Sequence, residues 1–175
     1  PVLLHCKTVK GKGFDFSEKD AFTFHSPPGF TVQDCKVEKK QSSGRSFTKA
    51  FASAMEGLME QDPKIFAVTA AMPDGTGVDK LMARYPDRTL DAGLCESNAM
   101  DICAGMAASG LKPFFAVYSS FSQRALDQVF QEVALHHLPV RVCMEATGPY
   151  GLDLAATLHA APDIAVMVAN PRAVR

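Results

Sequence analysis

The sequence predicts an α/β domain of three layers, a parallel sheet covered by helices on both faces. Five short apolar runs, Ile65 to Met72, Leu90 to Leu94, Phe114 to Tyr118, Val140 to Met144 and Ile164 to Val168, are too continuous for strands with one wet face. Runs of that kind mark strands buried on both sides. Helical patterns lie around Val78 to Arg84, Glu96 to Ser109, Leu126 to His136 and Asp153 to His159. The alternation and the short connections imply right-handed crossovers between parallel strands.

From the start of the chain, residues 2 to 9 read as a strand, and Lys10-Gly11-Lys12-Gly13 ends it with glycine punctuation. Phe14 to Arg45 shows no sustained period, and the polar run Gln33 to Arg45 has the composition of an exposed linker. The expected organisation is therefore a first body over 1–30, a linker over 31–45 and a second body over 46–175. Ser46 is placed to cap a helix whose apolar residues Phe47, Phe51, Met55, Leu58 and Met59 recur at helical spacing. Asp62-Pro63 stops that helix, and the strand and helix alternation follows.

At 175 residues the chain is long enough for a real core, burying roughly 70% of its unfolded surface. Hydrophobic residues make up 47% of it, charged residues 21%, and the net charge is −1. Such a balance has no basic excess for nucleic acid or anionic lipid. No apolar run is long enough to span a bilayer, and Pro1 to His5 is too short before Lys7 for a signal peptide. Cys6, Cys35, Cys95, Cys103 and Cys143 form no C-x-x-C pair and mostly sit in apolar segments, the pattern of reduced thiols in a cytoplasmic protein. Metal ligation by them is not expected. A chain beginning with Pro1 is expected to be part of something longer.

In a parallel sheet of this kind, ligands bind at the carboxyl ends of the strands. Met72-Pro73-Asp74-Gly75, Cys95-Glu96, Ser119-Ser120-Phe121 and Glu145-Ala146-Thr147-Gly148 all fall there. Glu96 opens a helix on this rim. Its plain reading is a carboxylate that complements the helix dipole, at about 0.3 to 1 kcal/mol.

Several segments point further. "PVLLHCKTVKGKGF" with "EKDAFTFHSPPGF", then "VTAAMPDGTG", "YPDRTLDAGLCESNAM", "CAGMAASGLKPF" and "AVYSSFSQRALDQV" resemble, in order, segments of the 1-deoxy-D-xylulose-5-phosphate synthases. These are thiamine diphosphate enzymes of the transketolase superfamily, and the resemblance covers nearly the whole chain. It implies the tail of a diphosphate-binding domain over 1–30 and a pyrimidine-binding domain over 46–175. It further implies thiamine diphosphate and Mg²⁺ as cofactors, the metal's ligands lying in the first domain outside this stretch, and a homodimer. The implied reaction transfers a two-carbon unit from decarboxylated pyruvate to glyceraldehyde 3-phosphate.

Glu96 matches the glutamate that pairs with N1′ of the aminopyrimidine. There a carboxylate favours the imino tautomer, whose nitrogen acts as base toward the thiazolium C2–H. Burial of Glu96 is expected, with Leu94 and Met100 as its apolar neighbours. Phe121 matches the aromatic stacked on the pyrimidine ring, against the alternative of a core aromatic at a strand end. Met72 matches an apolar cofactor contact, where methionine ordinarily packs a core. Tyr118 and Arg124 match residues lining the substrate channel, able to hold phosphate or carboxylate, against a capped tyrosine and an exposed helix arginine. His25 matches a loop histidine that donates or accepts a proton near the reacting carbons; by itself it is a loop histidine.

Three departures from the family pattern stand out. Glu-Gln-His becomes Glu96-Ser97-Asn98, the arginine expected after Glu145 is Ala146, and the loop at Gly148-Pro149-Tyr150-Gly151 is short. They keep two other readings open: a relative with another acceptor, and a non-catalytic subunit that binds cofactor or partner.

Overall fold

The computed structural model describes residues 1–25, 27, 30–31, 36–37, 46–145, 156, 160 and 165–169, and the chain divides into two units, Pro1–Gly44 and Arg45–Arg175. In the first unit a short helix, α1 (Asp15–Lys19), follows the glycine pair, and the Gly13 N–H donates to Glu18 Oε1 at 3.0 Å. Phe16 packs edge-on against Phe24 with ring centroids 4.9 Å apart. Strands β1 (Phe30–Thr31) and β2 (Lys36–Val37) pair antiparallel. Residues 2–9, expected as a strand, are not one. Val2 and Leu3 are 96% and 95% exposed, and no described strand offers their backbone a ladder, without which an extended segment gains nothing over coil.

The second unit opens with α2 (Phe47–Gln61), begun by Ser46, whose Oγ accepts from the Lys49 N–H at 3.4 Å. Phe51, Ala52, Met55 and Met59 are buried. Leu58, expected among them, lies at the margin of the apolar stripe and is exposed. Arg88 Nη1 donates to the otherwise unpaired Met59 carbonyl at 2.8 Å, and Asp62 Oδ2 accepts from Lys112 Nζ at 2.6 Å. These contacts tie the end of α2 to the entrances of two strands. The Lys112 hydrogen bond, with help from the Lys64 N–H, holds the half-buried Asp62 carboxyl below the usual carboxylate range.

Five parallel strands follow: β3 (Ile65–Thr69), β4 (Thr89–Asp91), β5 (Lys112–Tyr118), β6 (Arg141–Glu145) and β7 (Ala165–Ala169). They stand in the order β4-β3-β5-β6-β7. All five expected strands are present, each within a few residues of its apolar run. Along β5, Phe115 and Val117 enter one core while Ala116 between them enters the other. With both faces buried, alternation in space leaves none in polarity, which is why the runs are continuous.

The connections are α3 (Pro73–Thr76), α4 (Val78–Arg84), α5 (Glu96–Ala108), α6 (Ser119–Ser122) and α7 (Leu126–Gln128), with 3₁₀ turns at Pro86–Arg88 and Gln123–Ala125. Helices α2 and α4 cover one face, and α5 with the segment after α7 covers the other. Between α3 and α4 the chain reverses through Gly77 at φ 84°, where a Cβ would also meet the Thr48 carbonyl at 2.8 Å. The single helix expected over Leu126 to His136 differs. After α7 the chain widens into a π-helical turn over Val129–Ala134, with Leu135 N–H donating to the Phe130 carbonyl at 3.1 Å. Val129 and Val133 stay buried while Phe130 turns outward at 39% exposure.

The helix expected over Asp153 to His159 and the linker Gln33 to Arg45 lie outside the described residues, save Ala156 and the strand pair Lys36–Val37. No helix among the described residues is long and apolar enough to cross a membrane.

Strands β3 and β5 are neighbours, and the connection leaving β3 runs to β4 on one side while that leaving β5 runs to β6 on the other. In sheets of this kind such a switch point, beyond the carboxyl ends of β3 and β5, is where ligands bind.

Burial separates the described thiols. It pushes Cys103 and Cys143 each up to about 12, while Cys6 and Cys95 are exposed. Thiolate is the reactive form. Timed alkylation at pH 8 with mass mapping should therefore modify Cys6 and Cys95 first and reach Cys103 and Cys143 only on unfolding. Early labelling of Cys103 would contradict the packing of α5 on the sheet.

Candidate active site

The loops at the switch point are tied together by one carboxylate. Asp91, the last residue of β4, accepts from the Ala71 N–H at 2.7 Å and the Gly93 N–H at 2.9 Å, both on Oδ1. Ala71 sits at φ 57°, a left-handed conformation that costs a non-glycine residue roughly 1 kcal/mol or more. The Asp91 bond offsets part of that and fixes the step from β3 into Met72. Sequence reading did not single out Asp91, although an acidic residue at a strand end followed closely by Gly93 was a usable signal.

Met72 follows this step, buried at 7% exposure within the core that contains Met100 and Val117. Its carbonyl accepts from Thr76 Oγ1 at 2.6 Å. Glu96 begins α5 and is 4% exposed. Met100, one turn on, is fully buried as expected; Leu94 is not, standing 80% exposed because the Gly93 turn carries it away from the core.

A buried carboxylate loses several kcal/mol of solvation unless it is paired. Glu96 Oε2 lies 3.2 Å from Arg124 Nε, and the Arg124 side chain is otherwise 70% exposed. Ser97, beside Glu96, donates through Oγ to the Arg124 carbonyl at 2.6 Å. Structure thus brings Glu96, Ser97 and Arg124 into one group.

Tyr118 ends β5, and its ring stacks on Phe121 with centroids 6.1 Å apart and planes 27° from parallel. Phe121, in α6, is 44% exposed and presents an aromatic surface at the rim. Within α6, Ser122 Oγ donates to the Ser119 carbonyl at 2.7 Å, and it also lies 3.3 Å from Met144 Sδ on β6. On the other side of Tyr118 lies Gly75, where an added Cβ would fall 1.6 Å from the hydroxyl oxygen. The loop carrying Gly75 is itself held by Thr48 Oγ1, which donates to the Gly75 carbonyl at 3.0 Å. Sequence reading missed the requirement for glycine at 75, because it depends on a ring 43 residues away in the chain.

A cavity of about 40 Å³ beside Tyr118, lined also by Phe47, Phe51 and Met144, is far too small for a heteroaromatic ring. His25 belongs to the first unit, where it is exposed and its N–H donates to the Phe22 carbonyl at 3.2 Å. Ala146 and the loop Gly148-Pro149-Tyr150-Gly151 lie outside the described residues.

Several known proteins are similar to this chain. Residues 43–174 match the family model described as "Transketolase, pyrimidine binding domain". A 1-deoxy-D-xylulose-5-phosphate synthase of Clostridium perfringens is 44% identical over 153 residues, 87% of this chain and 24% of that protein. One from Thermus thermophilus is 42% identical over 171 residues, 98% of this chain and 27% of that protein. The chain thus spans about a quarter of the length of the curated relatives it matches. Among solved structures, one described as "Split gene transketolase, inactive beta4 tetramer" superposes with a TM-score of 0.53 at 24% identity, over 59% of this chain and 35% of that one, a likeness of fold.

The Gly75 and Tyr118 contact can be tested. Gly75→Ala should cost about 1 to 3 kcal/mol in urea unfolding, the usual range for overpacking. In a Tyr118→Ala background the same change should cost little. Equal costs in both backgrounds would mean that Tyr118 is not what requires a glycine there.

Proposed function

The chain belongs to the transketolase pyrimidine-binding domain family, and from that premise we propose that it supplies the aminopyrimidine half of a thiamine diphosphate site in a transferase. In this reading the enzyme moves a two-carbon unit from decarboxylated pyruvate to glyceraldehyde 3-phosphate, giving 1-deoxy-D-xylulose 5-phosphate, a precursor for isoprenoids and thiamine. The observation that carries it is Glu96: a carboxylate 4% exposed, at the first residue of α5 and by the switch point. The identity of 42 to 44% to proteins named for this reaction supports the choice of substrates.

The residues present fit half of the cofactor. Glu96, in a nearly dry setting, suits a short hydrogen bond to the ring nitrogen N1′, stronger there than in water. Phe121, half-exposed at the rim, offers a face on which a pyrimidine can stack. Met72 closes the floor with apolar surface behind it. When bound, the cofactor supplies an electron sink for decarboxylation. The chain's own work is to orient the ring, keep water from it and hold a proton at the Glu96 carboxylate.

Tyr118 and Arg124 stand on the same rim and suit the anionic ends of the substrates, the guanidinium as donor to carboxylate or phosphate. His25 is assigned to proton transfer near the reacting carbons. Residues 1–30 are read as the end of a diphosphate-binding domain, 31–45 as a linker and 46–175 as the pyrimidine-binding domain. Mg²⁺ and the diphosphate ligands belong in this reading to the rest of the first domain, and the active protein is a cytoplasmic homodimer.

Glu96→Gln keeps the side chain's shape and removes its acid and base chemistry. In the full natural protein it should lower thiamine diphosphate-dependent decarboxylation of pyruvate by roughly a hundredfold to ten-thousandfold, with the melting temperature little changed. A variant that decarboxylates pyruvate at the wild-type rate would overturn the assignment.

A further inference from the structure

Ser97 stands where a glutamine was expected beside Glu96, and its hydroxyl has a specific partner. Ser97 Oγ donates to the main-chain carbonyl of Arg124 at 2.6 Å, across 27 residues of sequence. That same arginine turns its Nε onto Glu96 Oε2 at 3.2 Å. Two adjacent residues of α5 therefore hold Arg124 at both ends, one by its backbone and the other by its guanidinium.

An arginine side chain has many rotamers, so the location of its head depends on how firmly its root is held. The Arg124 side chain is 70% exposed and gains little positioning from packing. Its root lies in the 3₁₀ turn Gln123–Ala125, between two very short helices, α6 and α7. The Ser97 hydroxyl sits on a single carbon, so its bond joins two backbones almost directly. Nothing else among the described ion pairs holds the Glu96 carboxylate. With Oε2 on Arg124, Oε1 is the oxygen left to meet a ligand atom.

We propose that Ser97 is a positioning residue: through Arg124 it fixes the rotation of the Glu96 carboxylate, so that Oε2 is engaged and Oε1 is presented to the aminopyrimidine nitrogen. This rests on the assignment of Glu96 to the cofactor made above, and it gives a specific role to one of the positions at which the chain leaves its family's pattern.

The test is a double-mutant cycle on thiamine diphosphate binding, read as the dissociation constant by titration calorimetry on the full natural protein with Mg²⁺ present. Ser97→Ala should weaken binding about three- to tenfold, the loss of one hydrogen bond's worth of positioning. Ser97→Thr, which keeps the hydroxyl, should recover most of that. In a Glu96→Gln background, Ser97→Ala should change the dissociation constant by less than about twofold, since the group being positioned is no longer a carboxylate. Ser109→Ala, which removes a serine hydroxyl bonded to the Gly105 carbonyl at the far end of the same helix, should leave binding as in the wild type.

If Ser97→Ala weakens binding equally with and without the Glu96 carboxylate, or if Ser97→Thr fails to recover it, Ser97 is structural and the proposal is overturned. If Ser97→Ala leaves the wild-type constant unchanged while Glu96→Gln weakens it, the positioning role falls and the function stands. If neither the wild type nor any variant binds thiamine diphosphate, the functional reading falls and the positioning role with it.

Discussion

Covering a parallel sheet on both faces is the constraint from which the rest follows. Strands β3, β5 and β6 are flanked by apolar helices above and below, so an unpaired polar side chain in their middle would be costly. The four buried polar residues among those described, Thr69, Glu96, Ser119 and Ser122, accordingly gather at the carboxyl ends of the strands or in the turns after them. Even there they are bonded inward: Thr69 Oγ1 donates to the Ala116 carbonyl at 2.9 Å, joining β3 to β5 at the switch point. The chemistry of the chain sits on its rim because the interior disfavours it.

Glu96 is the costly member of that group. A pair with a mostly exposed arginine is ordinarily worth no more than about 1 kcal/mol, and a place in the first turn of α5 adds roughly 0.3 to 1 kcal/mol, up to about 2 in a partly buried setting. Neither equals the several kcal/mol that burying a carboxylate costs. Packing elsewhere carries the difference, much of it from side chains such as Phe115, Met55 and Met100, each worth about 1.5 to 3 kcal/mol when fully buried. A group held at net cost to folding is what a ligand that shares its proton would relieve.

Much of this was legible in the sequence, for a physical reason. A strand buried on both faces needs a continuous apolar run, and a helix packed on one side needs its apolar residues at helical spacing; both are local patterns. Ser46 as a cap is local too. Legibility fails where the cause is distant. Residues 2–9 have the composition of a strand, but pairing decides the matter. Leu94 is apolar in sequence, yet the Gly93 turn swings it into solvent. The π turn at Val129–Ala134, the glycine required at 75 by Tyr118 and the tie of Asp91 to Ala71 each depend on a partner no window of sequence contains. Among the candidate residues, Glu96 and Arg124 were singled out separately; that they touch was not.

In the proposed reading, that contact bears on how the rim would serve two substrates. A guanidinium has five donor hydrogens on three nitrogens. Arg124 engages Glu96 through Nε alone, which leaves both terminal amino groups for a second anion in the same plane. A substrate carboxylate or phosphate bound there would share one cation with Glu96, and a bidentate grip would fix its orientation relative to that carboxylate. Lysine could not replace this geometry, since its single ammonium has no planar fork with which to divide its hydrogen bonds between the two sides. In the reading proposed above, with Ala146 standing where an arginine was expected after β6, more of the recognition of an anionic acceptor would fall on Arg124, whose backbone is tied to Ser97 and whose charge is shared with Glu96.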